Sequence, residues 1–221
     1  MSDMTVLIPA LNEEATIGNV LDETLKVTDD IIVINDGSTD HTAAIVESYT
    51  TNHRGVHLLT HTSCQGKGFA LRNALKDVRT ELVGLQDADL EYSPKHLQTL
   101  INNGAFNMII GQRTMVMTDF YRSISVGSFL ANKMFAHLAG VPDVFSGQRV
   151  LQTEFMCSLD LKSNGFEIET ELTLKSLRRK ASILFVPVEY KPRTKEEGKK
   201  INFTDFLKIS AMYARLQVSA V

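Results

Sequence analysis

The sequence predicts an α/β fold: a mainly parallel β-sheet flanked by helices. Short β-branched and aliphatic runs alternate with amphipathic stretches through the first 110 residues. Polar segments follow four of the apolar runs, as loops at strand ends do. The third observation is size: 221 residues with 43% hydrophobic content suit one sizeable domain with its own core.

Taken in order, Thr5–Ile8 is the first strand, and Ile17, Val20, Leu21 and Leu25 mark the buried stripe of the helix after it. Ile31–Ile34 is the second strand. Asp36–Asp40 reads as a turn, and Thr39 or Asp40 caps a helix over Thr42–Tyr49. A strand at Val56–Leu59, a helix at Lys67–Val78 and a strand at Leu82–Leu85 follow. Pro94 opens a helix at its first turn, where a missing N–H does no harm, and Met108–Ile110 is the fifth strand.

The second half predicts a helix over Tyr121–Leu138, a strand near Arg149–Gln152 and a helix beginning near Glu169. A strand at Ser182–Glu189 and an amphipathic helix at Phe203–Leu216 complete it. The terminal stripe of Phe203, Phe206, Leu207, Ile209 and Tyr213 reads as core packing. The second half has too few apolar runs for a core of its own, so residues 1–221 form one domain.

A net charge of −3 gives no reason to expect nucleic acid as a partner. Cys64 and Cys157 form no CxxC pair and no disulfide framework, which fits a reducing, cytoplasmic setting. There is no run of 18 apolar residues and no secretory leader pattern, so no transmembrane span is expected.

Ligands of parallel sheets bind beyond the carboxyl ends of the strands. Pro9–Glu14, Asn35–Asp40, Gln86–Asp89 and Gly111–Arg113 should therefore gather along one edge. Asp87, Asp89 and Glu91 stand at every second position where the fourth strand stops. Like charges so placed cost stability unless a cation sits among them. Oxygen ligands of this kind suit Mg²⁺ or Mn²⁺ and leave coordination positions for phosphate. The alternative is that Asp87 and Glu91 solvate a strand end while Asp89 caps the next turn. PALNEE stands where a GxGxxG dinucleotide fingerprint would, and P-loop and GxSxG patterns are absent.

VLIPALNEE (6–14), IIVINDGSTDHT (31–42), GKGFALRNAL (66–75), GLQDADLEYSP (84–94), FSGQRV (145–150) and SNGFEIETEL (163–172) occur in that order. Together they resemble family 2 glycosyltransferases of the GT-A fold, in particular the dolichyl-phosphate mannosyltransferase and polyprenyl-phosphate sugar transferase type. The resemblance covers roughly residues 4–200. It implies a nucleotide-binding half at about 1–112 and an acceptor-side half at about 113–221.

It further implies that Pro9, Ala10, Asn12, Glu14, Asp36, Lys67, Asp87, Arg149 and Lys199 hold a UDP- or GDP-sugar. Asp87 and Asp89 match the DxD motif and, with Glu91, would hold Mg²⁺ or Mn²⁺ against the diphosphate. Arg113 and Arg122 match arginines that grip an acceptor phosphate. Gln148 stands where the family's SGFR motif has an aromatic residue. His41 reads as a surface or capping residue.

The expected activity is metal-dependent, inverting transfer of a sugar from a nucleoside-diphosphate donor. The expected acceptor is a lipid phosphate met peripherally at a membrane surface. A hydroxyl acceptor, whether saccharide, protein or modified nucleobase, would instead require a base, and Asp143 and Glu169 are the candidates. A non-catalytic nucleotide-sugar-binding subunit and a nucleotidyltransferase are the other classes to separate.

Overall fold

A computed structural model describes residues 3–104, 106–114, 126–193 and 203–218, without the side chains of 126–130, 203, 206, 217 and 218. Its strands are β1 (Met4–Ala10), β2 (Asp30–Asn35), β3 (Val56–Thr60), β4 (Leu82–Leu85), β5 (Met108–Thr114), β6 (Arg149–Gln152) and β7 (Ile183–Glu189). Its helices are α1 (Ile17–Thr24), α2 (Thr42–Asn52), α3 (Lys67–Ala74), α4 (Lys95–Ile101), α5 (Val126–Ala139), α6 (Thr153–Ser158), α7 (Ile168–Arg178) and α8 (Phe203–Val218). The seven strands form one sheet in the order β3-β2-β1-β4-β6-β5-β7.

Both sheet faces are covered, which is why the strands carry few polar residues. Met4, Val6 and Ile8 of β1 point to one side, where Ile17, Val20 and Leu21 of α1 and Leu97 and Leu100 of α4 meet them. Leu7 points to the other side, among Ala70, Leu71 and Ala74 of α3 and Ile168 and Leu172 of α7. A third cluster joins α5 to α8 through Phe135, Ile209, Met212 and Tyr213.

The structure departs from the expectations in four places. The helix expected to reach Val78 ends at Ala74, and α6 was not foreseen. Leu207 of the terminal stripe is exposed while Ile209 and Tyr213 pack inward. The predicted Tyr121–Leu138 helix is observed from Val126; its first five residues lie outside those described. The fourth difference shapes the site. β6 is antiparallel to both neighbours, pairing Leu85 with Arg149 on one side and Ile110 with Arg149 on the other. The segment entering β6 is thereby delivered between the ends of β4 and β5.

Candidate active site

Because β6 opposes both β4 and β5, those two strands run parallel to each other. The carboxyl ends of β1, β2, β4 and β5 therefore share one edge, as expected. Pro9 and Ala10 finish β1 below a loop that is tied to the turn after β2. Asn12 takes a left-handed backbone (φ 51°). Its side-chain oxygen accepts from the Thr39 amide at 2.8 Å, and its own amide donates to Ser38 Oγ at 2.9 Å. Glu14 faces outward and meets both the amide and Nδ1 of His41.

Asp36 is buried and accepts from the Gln65 and Gly66 amides, with His61 Nδ1 at 2.8 Å. Burial pushes its pKa up, but the His61 and amide bonds win and hold it below the usual carboxylate range. Asp36 thus shapes the loop that delivers Lys67.

The cations that make the acidic strand end tolerable are now visible. Lys67 Nζ forms ion pairs with Asp87 and, at 2.5 Å, with Glu169. Two close backbone approaches bring them together. A Cβ on Gly68 would clash with the Ser163 carbonyl, and one on Gly147 with the Asp87 carboxylate. Burial opposes the Lys67 charge, but its two carboxylates outweigh that and keep it protonated. Glu169 is buried, and burial, with the charge of Asp87, raises its pKa against the pull of Lys67.

The second cation is Arg193, just beyond β7. Its guanidinium reaches Glu13 at 2.9 and 3.3 Å and Asp89 at 3.0 Å. One guanidinium does not balance this cluster. Burial, then the charges of Asp87 and Glu91, push the Asp89 carboxyl up to about 7 against the pull of Arg193.

Several residues expected at the site make other contacts in this structure. Glu91 was expected as a metal ligand, yet its oxygens accept from Tyr190 OH at 2.6 Å and the Arg193 amide at 2.8 Å. The reason is local backbone: the chain after Leu85 is no longer a strand, and Leu90 turns left-handed (φ 59°). Among the described residues, no three acids, histidines or cysteines converge as a ready-made metal cage.

Asp143, a candidate base, is instead the partner of Arg113. It accepts from Arg113 Nε and Nη2 at 2.8 and 2.9 Å and from the Phe145 amide at 2.9 Å. Burial would raise its pKa, but Arg113 holds it below the carboxylate range. Arg149, expected at the donor, is wholly buried and donates to Ser146 O, Val144 O and Thr173 Oγ1. Burial pushes it down to about 10. Arg122 and Lys199 lie outside the described residues.

Glu13 and Arg193 were not foreseen. Arg193 sits in KPRTKEEGKK, which reads as a solvated charge run. The usable signal was the unbalanced acid cluster, which demanded more positive charge than Lys67 supplies.

The family model for glycosyl transferase family 2 matches residues 5–140, more than half the chain. The chain belongs to this family. The match includes Lys67, Asp87, Asp89 and Arg113 and stops before Asp143, Glu169 and Arg193. Glycosyltransferase AglJ of Haloferax volcanii is 30% identical over 196 residues, 85% of this chain and 63% of that protein. The chain thus spans less than two thirds of AglJ.

Dolichyl-phosphate beta-glucosyltransferase ALG5D of Trichomonas vaginalis is 24% identical over 242 residues, 97% of this chain and 73% of that protein. Among solved structures, glucosyl-3-phosphoglycerate synthase from Mycobacterium tuberculosis with Mn²⁺, UDP-glucose and phosphoglyceric acid matches with a TM-score of 0.72. That match has 21% identity and covers 98% of this chain and 78% of the synthase. It shows a shared GT-A fold.

Proposed function

We propose that this domain transfers a glycosyl unit, with inversion and with Mg²⁺ or Mn²⁺, from a nucleoside-diphosphate sugar to a polyprenyl-type lipid phosphate. The observation that carries the reading is Asp89: half-buried at the sheet edge, near Asp87, and short of positive charge. The donor set fits a hard dication. It offers carboxylate oxygens and no complete protein cage, the arrangement in which one or two carboxylates share Mg²⁺ with substrate phosphates.

Asp89 would hold the metal, with Asp87 fixed beside it by Lys67. Bound there, a dication offsets the charge that develops on the departing diphosphate. Arg193 engages one oxygen of Asp89 and the Glu91 amide the other, so a metal would compete with these contacts. Asn12, Glu14 and the 38–41 turn line the edge where a nucleoside would lie.

Arg113 presents a cation at the acceptor side. Asp143 engages its Nε and Nη2 but not Nη1, and its guanidinium lies 5.4 Å from the Tyr190 ring centre. An acceptor phosphate oxygen would form the new bond to the anomeric carbon as the carbon–oxygen bond to the diphosphate breaks. The diphosphate leaves with the electron pair. A phosphate anion needs no base, which agrees with the saturated Asp143. The dolichyl-phosphate glucosyltransferase relatives support this acceptor class. No helix among the described residues is long and apolar enough to cross a membrane. The lipid would be met peripherally, at a cytoplasmic membrane face.

One observation favours a second reading. Glu169 is buried beside Lys67 with a raised pKa, as a base for a hydroxyl acceptor would be. The test is transfer from UDP- and GDP-sugars to a short polyprenyl phosphate in detergent, with Mn²⁺ and with EDTA, for wild type and Glu169→Gln. The first reading predicts lipid glycosylation that chelator abolishes and Glu169→Gln leaves within a few-fold. Transfer only to hydroxyl acceptors, lost in Glu169→Gln, would establish the second.

A further inference from the structure

The inference rests on the function just proposed and concerns what holds the acid-bearing loop, residues 86–93, in place. Gln86 follows β4 and Gln148 precedes β6, and both side chains are buried. Gln148 Nε2 donates to Gln86 Oε1 at 2.6 Å and to the Ser93 carbonyl at 2.9 Å. Gln86 Nε2 donates to the carbonyls of Asp87 at 3.0 Å and Tyr92 at 3.1 Å. Each amide nitrogen spends both of its hydrogens. Gln148 Oε1 then accepts, so His96 presents Nδ1–H to it at 3.2 Å.

These bonds grip the start and the end of the loop from one buried point. Between the grips Leu90 holds a left-handed backbone, a conformation a residue with a Cβ keeps only under restraint. A second tether lies alongside: Tyr92 bridges to Tyr190, and its hydroxyl accepts from the Gly147 amide at 3.3 Å. The two amides at the centre of this network are buried. Its effect is on where Asp87 and Asp89 stand.

We propose that Gln148, acting through Gln86, is the positioning residue of the acid-bearing loop. The antiparallel β6 carries Gln148 to this point, and the amide replaces the aromatic residue of the usual SGFR motif with directed hydrogen bonds. A fully satisfied buried polar network of this kind selects one geometry, where apolar packing tolerates several. Loss of the clamp lets Leu90 relax and moves Asp89 away from its place beside Asp87.

The test compares wild type with Gln148→Leu and with the double variant Gln86→Leu/Gln148→Leu. The double variant removes both amides together, so neither glutamine is left facing an apolar partner. The Ser93, Asp87 and Tyr92 carbonyls lose their donors, a cost that the Tm reads. Three quantities are read: Tm, calorimetric Mn²⁺ affinity of protein saturated with UDP (or GDP, whichever the wild type binds), and turnover. We expect the double variant to fold, to keep its metal-free nucleotide affinity, and to bind Mn²⁺ about tenfold more weakly. Turnover should fall about 10²-fold, the scale expected of a misplaced reacting group. Wild-type Mn²⁺ affinity and turnover in a folded double variant would overturn the positioning role. Absence of Mn²⁺-dependent nucleotide binding in the wild type itself would instead remove the proposed function beneath it.

Discussion

At the scale of single residues, each carboxylate of the site is defined by the cation it has or lacks. Burial and the neighbouring acids keep the Asp89 carboxyl protonated up to about pH 7 in the metal-free fold, so ionising it above that pH costs stability. Asp89→Asn should therefore leave the metal-free Tm at pH 8 unchanged or higher, while metal-dependent turnover falls about 10²–10³-fold. A lower Tm would show that the carboxylate is structural. Asp143 is the opposite case. Its folded pKa lies below the unfolded one, so its contribution is full above the ordinary carboxylate range and is lost as pH falls through the folded value. Asp143→Asn leaves Arg113 without its partner and should cost about 3–5 kcal/mol at pH 7 by urea denaturation. The gap from wild type should narrow below about pH 4; a gap independent of pH would refute the linkage. The sequence reveals Asp87, Asp89 and Lys67 because they lie in dense motifs. It does not reveal that Glu13 turns inward while Glu14 faces His41, since that depends on how the loop around Asn12 folds.

Among the elements, all strands and every helix but α6 were legible to within a few residues where the structure describes them, because apolar periodicity records burial directly. The direction of β6 was not. Arg149-Val-Leu-Gln152 has the composition of a strand, but nothing in four residues states which way it runs. That direction decides the site, since it brings Gly147 against Asp87 and Gln148 against Gln86. The start of α3 depends similarly on a contact between distant segments, where Gly68 packs on the Ser163 carbonyl. Gly68→Ala should force these backbones apart, costing about 1–3 kcal/mol. It should also reduce turnover beyond what the lost stability explains, because Lys67 leaves Asp87 and Glu169. Thermal denaturation paired with steady-state kinetics measures both; a fully stable, fully active variant would contradict the close approach.

For the whole molecule, the organising feature is a sheet whose parallel strands end on one edge, with charge from the loops after β1, β4 and β7 and from β5, α3 and α7 converging there. The edge itself was predictable, since βα alternation fixes where strand ends lie. The charge balance was not, because Arg193 is 104 positions from Asp89 and only tertiary folding joins them. Lys67 and Arg193 hold the acids in the absence of donor, and a dication with a diphosphate completes the balance in the proposed reaction. The most direct measurement is donor turnover across UDP- and GDP-sugars with polyprenyl phosphate, in Mn²⁺ and in chelator, for wild type and Asp89→Asn. The account predicts turnover with Mn²⁺ in the wild type and its loss in both chelator and the variant. Undiminished turnover under both conditions would contradict it.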